Sequence, residues 1–162
     1  MVLLSSAICN FGEKPNDFLL KSIDEELYDW KKVKGKSGTL VMFICNHCPY
    51  VKAIIEELVI TTKLLELMGV RSVAIMPNDT LNYPEDSFNK MKIFSNSNKF
   101  NFPYLYDESQ EIAKAFKAIC TPDFYGYNSK DCLLYTSDAA DDSLRVDLGG
   151  RRIIKKSRCA VF

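Results

Sequence analysis

The chain has 162 residues, 21 basic and 21 acidic side chains, a formal charge of zero and 47% apolar residues. That length predicts one domain, and that apolar content suffices for a packed core. Balanced charge without basic–aromatic interleaving argues against nucleic acid as a partner, and no stretch is apolar for long enough to argue for a membrane.

Residues 1–9 are mildly apolar but short, and they lack a basic lead. They read as a poor secretion signal, and Ile8 disfavours a lipoprotein cleavage before Cys9, so the cytoplasm is the expected compartment. Residues 17–23 predict a short strand, 27–30 a helical turn and 34–38 a polar turn. The run 39–44 is uncharged and partly β-branched, which predicts a buried strand. Pro49 suits the first position of a helix over 49–68. Val51, Ile54, Ile55, Leu58, Leu65 and Met68 share one face of it, and Gly69 suits its C-terminal cap. Residues 70–76 predict a second buried strand and 77–83 a loop, in which Asp79 reads as a turn former. A helix is expected over 84–94, with Glu85 and Asp86 in its first turn. A loop over 95–102, a strand over 102–106, a helix over 108–118 and a strand over 124–128 follow. Strands alternating with helices imply an α/β domain, a central sheet with helices on both faces.

The chemistry concentrates at residues 43–52, FICNHCPYVK. A strand there delivers Cys48 to a helix N-cap, directly before Pro49. Helix-terminal N–H groups and the dipole favour thiolate over thiol, so Cys48 reads as a nucleophile, or else as a small buried hydrophobe. Cys45 stands in a CxxC frame with it and either resolves an oxidised Cys48 or packs at the strand end. Cys120, two residues before Pro122, is either another resolving thiol or core. His47, the only histidine, either shuttles a proton beside Cys48 or is a polar loop residue. Cys45, His47, Cys48 and Cys120 also make up an alternative copper or zinc ligand set, although no second CxxC or histidine pair backs it.

FICNHCPYVK (43–52), IMPNDTLNYPEDSF (75–88), FPYLYDESQEIAKAF (102–116) and CTPDF (120–124) together resemble the peroxiredoxin-like branch of the alkyl hydroperoxide reductase/thiol-specific antioxidant superfamily. The resemblance spans most of residues 11–131. It implies a thioredoxin-like three-layer α/β/α sandwich with a central mixed sheet. It makes Cys48 the catalytic cysteine, supported by Thr121 and Pro122. The usual resolving position falls at Val51, which cannot form a disulfide, so Cys45 and Cys120 remain the candidate resolving thiols, with His47 and Pro49 as further support. Thr121-Pro122 matches the proline of this fold that is typically cis and faces the nucleophile. The implied substrate is a hydroperoxide or a disulfide. The implied reductant is a thioredoxin-type or low-molecular-weight thiol system, with no organic cofactor. Two positions depart from the peroxiredoxin pattern: Cys45 stands where a threonine or serine is usual, and Val41 where a proline is. The only arginine before residue 132 is Arg71, not the late arginine that peroxiredoxins use.

Residues 132–154, CLLYTSDAADDSLRVDLGGRRII, resemble a translated sequencing adapter, with a variable index around 143–145. Composition changes there too: residues 1–131 hold 14 Lys and 1 Arg, the remainder 2 Lys and 4 Arg. Residues 1–131 are therefore expected to be the thioredoxin-like domain, truncated at the C-terminus, and 132–162 a non-native tail. Leu133, Leu134 and Tyr135 could still pair as a strand, while 143–162 are expected to be irregular.

Overall fold

The computed structural model describes residues 10–138. Seven strands form one mixed sheet in the order β2-β1-β5-β4-β3-β6-β7. They are β1 (Leu19–Ser22), β2 (Leu27–Asp29), β3 (Gly38–Phe43), β4 (Val70–Met76), β5 (Tyr104–Tyr106), β6 (Asp123–Asn128) and β7 (Leu133–Asp138). β3, β4 and β5 run parallel, while β6 lies antiparallel to β3, from Gly38↔Asn128 to Phe43↔Asp123. The helices are α1 (Trp30–Val33), α2 (Pro49–Leu67), α3 (Phe88–Asn98) and α4 (Glu111–Phe116).

The twofold alternation of the strands divides the core into two layers. Val41 and Phe43 of β3, with Val73 and Ile75 of β4, face α1 and α4 and pack on Trp30, Val33, Ala113 and Phe116. Met42, Ala74 and Met76 face the other way, onto Val51, Ile55, Leu58 and Val59 of α2 and Met91 of α3. Both faces of the central strands are thus buried, which is why they read as continuous apolar runs.

The expected strands over 39–44 and 70–76 and the helix over 49–68 are present within a residue or so of their expected ends. Gly69 takes φ +80 behind the α2 cap, where a Cβ would lie 2.6 Å from Ser37 Oγ. Met68, expected on the inner face of α2, is 69% exposed. Four expectations need correction. Residues 27–29 are a strand antiparallel to β1, and only Trp30 begins the helical turn, capped by Asp29 Oδ1 accepting from Lys32 N at 2.8 Å. The helix expected over 84–94 is two pieces, a 3₁₀ turn at Pro84–Asp86 and then α3, separated by Ser87 in an extended conformation (φ −56, ψ 152). The polar run after Phe94 does not stop α3, which continues to Asn98 because Ser95 is buried and Phe94 packs edge-on against Phe100. The helix expected over 108–118 is shorter, since Gln110 (φ 61) and Lys117 (φ 59) both adopt the left-handed region.

The strand anticipated at 133–135 is β7, which pairs antiparallel with β6. Leu133 is buried in the α1/α4 core layer, and its backbone bonds to Gly12 and Glu13. The expectations for residues 1–9 and 143–162 lie outside the described residues.

Candidate active site

The C-terminal end of β3 delivers a short loop, Ile44 to Cys48, to the start of α2. Cys48 is the N-cap and Pro49 the first helical residue. Pro49 has no N–H to leave unsatisfied, so the chain turns sharply into the helix there. Cys48, 8% exposed, does not bond to the first helical N–H groups; its thiol donates to the Thr121 carbonyl at 3.2 Å. The Thr121–Pro122 peptide is cis, and it carries the chain into β6 beside β3. Cys45 lies behind Cys48, 1% exposed, with its sulfur 3.1 Å from Thr121 Oγ1. One threonine therefore contacts both thiols, through its carbonyl and through its hydroxyl.

Burial pushes the Cys45 thiol above the ordinary cysteine range. The nearby Asp86 charge adds to this, against the Thr121 hydroxyl and the Cys48 N–H, which act the other way. Burial therefore favours the protonated thiol at Cys45.

Cys48 opens onto a cleft of about 570 Å³. His47, Tyr50, Tyr83, Lys114, Cys120 and Thr121 are among its lining residues, so Cys48 and Cys120 line one cleft while Cys45 does not reach it. Cys45 instead groups with His47 and Asp86: one donor atom from each lies within 4.8 Å of the others. That grouping differs from the Cys45, His47, Cys48 and Cys120 set considered as an alternative metal site, and the His47 ring nitrogen and Asp86 carboxylate in it are hydrogen-bonded to each other.

Sequence reasoning missed Asp86. It was expected only as an acid in the first turn of a helix, and it does lie in that turn. Its side chain, however, is fully buried and reaches the loop between β3 and α2, some 40 residues upstream. Asp86 Oδ1 accepts from Asn46 N at 2.7 Å and His47 N at 3.2 Å. Asp86 Oδ2 meets Asn78 Nδ2 at 2.7 Å and His47 Nδ1 at 2.6 Å. Tyr104, on β5, donates to Asn46 Oδ1 at 3.0 Å. Local pattern cannot reveal such a contact, because the partners are close only after β3, β4 and β5 assemble. The lone histidine beside a cysteine was the one signal available. Asp79 does form the turn expected of it, its carboxylate accepting from Leu81 N and Asn82 Nδ2.

Arg71, the only arginine among the described residues, donates to the Lys32 carbonyl at 2.9 Å, at the end of β4 away from the cleft. Among the described residues no helix is long and apolar enough to cross a membrane.

Comparison with known proteins places this geometry. Two solved structures are similar over most of their length. An uncharacterized conserved protein from Geobacillus kaustophilus is 40% identical, with a TM-score of 0.81, over 85% of this chain and 74% of the other. A hypothetical protein from Sinorhizobium meliloti is 33% identical, with a TM-score of 0.79, over 82% of this chain and 72% of the other. A secreted disulfide oxidoreductase of Mycobacterium tuberculosis shares the fold at 18% identity, with a TM-score of 0.62, over 78% of this chain and 90% of the other. No curated protein matches the chain. The fold is thus the thioredoxin-like α/β arrangement that the resemblance implied. The AhpC/TSA family profile matches residues 11–136, and with that match the chain belongs to the AhpC/TSA family.

Proposed function

We propose that the chain is a thiol oxidoreductase in which Cys48 is the nucleophile. The observation that carries this reading is the placement of Cys48: N-cap of α2, at the mouth of the cleft, with its sulfur held against the residue preceding a cis proline. A cysteine so placed can approach a sulfur or peroxide oxygen entering the cleft while the backbone fixes its direction of attack. With a disulfide, the Cys48 thiolate displaces one thiolate and leaves a mixed disulfide. With a hydroperoxide, it takes the distal oxygen as a sulfenic acid and releases an alcohol or water. Cys45, Cys120 or an external thiol then restores Cys48, the electrons coming from a thioredoxin-type or low-molecular-weight thiol system. The cytoplasm, which keeps such thiols reduced, is the compartment this reading assigns.

One observation favours the disulfide over the peroxide. Peroxide activation benefits from a guanidinium at the sulfur, and Arg71 is bound to the Lys32 carbonyl elsewhere. Among the described residues, Lys114 is the only lysine or arginine that lines the cleft.

Alkylation kinetics test the proposal. Cys48 in the native protein is expected to react with iodoacetamide at neutral pH at least ten times faster than an unstructured cysteine. The fast phase should vanish in Cys48→Ser, and preincubation with a small disulfide should block it. Labelling at the rate of an ordinary cysteine would leave only a binding domain. Protection by hydrogen peroxide at low stoichiometry, without protection by disulfides, would transfer the assignment to a peroxidase.

A further inference from the structure

Asp86 has no part in the chemistry described so far, yet its buried carboxylate accepts or shares four hydrogen bonds, one of them with the His47 ring. Three donors with fixed protons aim at the Asp86 carboxylate: the N–H groups of Asn46 and His47 and the amide of Asn78. A carboxyl surrounded in this way serves as acceptor, so the proton of the 2.6 Å contact lies on His47 Nδ1. In the neutral ring Nε2 is then the nitrogen without a proton. The imidazole is stacked on Tyr83, with centroids 5.0 Å apart and rings 6° from parallel, which closes one face and fixes its plane. The His47 side chain is 34% exposed and lines the same cleft as Cys48, whereas Asp86 is fully buried. A buried acid holding one tautomer of a cleft-lining imidazole is the arrangement used to aim a base.

Resting on the thiol oxidoreductase reading, we propose that His47 is the proton shuttle of thiol–disulfide exchange at this site, and that Asp86 is the positioning residue that sets its tautomer. His47 Nε2 takes the proton of the Cys48 thiol. The resulting thiolate attacks one sulfur of the substrate disulfide, the S–S bond breaks, and the leaving thiolate receives that proton from Nε2. The balance is Cys48–SH plus RS–SR giving Cys48–S–SR plus RSH, with no further oxidant or reductant. Other titratable groups around the ring are Tyr83 on its face, Cys45 and Cys48 on its own loop, Tyr104 beyond Asn46, and Lys114 and Cys120 across the cleft. Of these, Lys114 is the rival proton source.

The chemistry of the leaving group exposes the shuttle. A bis-nitrobenzoate disulfide releases an acidic aromatic thiolate that needs no proton. Hydroxyethyl disulfide releases a basic alkyl thiolate that does. The full chain is assayed with both, as wild type and as His47→Gln, Asp86→Asn and Lys114→Gln. The histidine and aspartate variants are expected to slow both disulfides, because Nε2 generates the attacking thiolate for either. They should lose about 100-fold more on the alkyl disulfide, whose leaving thiolate also needs the proton, the size of effect general acid–base catalysis supplies. In Asp86→Asn the amide can donate to Nδ1, which places the ring proton on Nε2 and leaves that nitrogen unable to take another from the thiol. His47→Gln leaves the buried carboxylate in place and keeps the test decisive if Asp86→Asn folds poorly. Equal losses on both disulfides, no loss on either, or a selective loss confined to Lys114→Gln would overturn the proposal. If the wild type exchanges with neither disulfide, the oxidoreductase reading itself fails.

Discussion

Cys45 lies behind Cys48 with its thiol shifted upward by burial and by the Asp86 charge. Two outcomes are expected at this residue. In the native protein Cys45 should label far more slowly than Cys48 at neutral pH, and only denaturation should equalise the two; peptide mapping after timed alkylation reads this directly. The second is a pH effect on stability. A thiol whose pKa is raised by folding keeps its proton in the native state after the unfolded chain has released it. Its contribution is therefore full below about pH 8.5, the ordinary cysteine value, and is lost as pH rises through the native value. Urea unfolding at pH 7 and above pH 9 should show this loss, and Cys45→Ala should flatten it. Tyr28, raised to about 12 chiefly by burial and the Asp24 bond, titrates above that window. Tyr104→Phe is a third test: it strips Asn46 Oδ1 of its buried donor and should cost about 1–2 kcal/mol in the same unfolding experiment.

Among the elements, α2 does most to create the site, and its two ends follow different rules. Pro49 and the cysteine before it mark the N-terminus in sequence alone. At the other end, the left-handed Gly69 has Ser37 packed where a Cβ would project. Gly69→Ala should therefore cost about 1–2 kcal/mol, through both the conformation and the contact, measured as a lowered urea midpoint with an unchanged slope. Gly35, in the turn before β3, is more constrained. A Cβ there would meet the backbone oxygens of Gly38 and Gly69 and the backbone nitrogen of Arg71, all within 2.8 Å. These atoms belong to the backbone and cannot rotate away, so Gly35→Ala should destabilise by about 3 kcal/mol. The split between the 3₁₀ turn and α3 has a tertiary cause. Asp86 must turn its carboxylate toward Asn46 and His47, and Ser87 then leaves the helical conformation before α3 begins.

For the molecule as a whole, the legible features were those set by short-range pattern. The buried strands 39–44 and 70–76 announce themselves because both faces of the central sheet are covered, so Val41 and Met42 are equally apolar although they enter different core layers. Cys48 and Pro49 were legible because a strand–helix junction leaves a local mark, whereas Thr121 and Pro122 were legible only through the family resemblance. The pairing of Leu27 to Asp29 with β1 was not, since three residues carry too little alternation to separate an edge strand from a turn. The Asp86–His47 contact was not legible either, because it depends on the side-by-side order of β3, β4 and β5. β7 gives a test at this scale. Leu133 lies within the adapter-like stretch yet is buried against the α1/α4 layer, so Leu133→Ala should cost about 2–3 kcal/mol if that stretch is an integral part of the folded unit. An unchanged unfolding midpoint would show that it is dispensable.

Thr121 touches Cys45 with its hydroxyl and Cys48 with its carbonyl. Its two ends therefore act as separate spectroscopic channels on the two sulfurs. In a sample labelled with carbon-13 at threonine, the Thr121 carbonyl resonance should move when Cys48 is oxidised or alkylated, because it loses a donor. The Thr121 side-chain resonances should move only when Cys45 reacts. One residue on the β6 side of the cleft can thus give the order in which the two thiols change state, in real time and without a label attached to either sulfur.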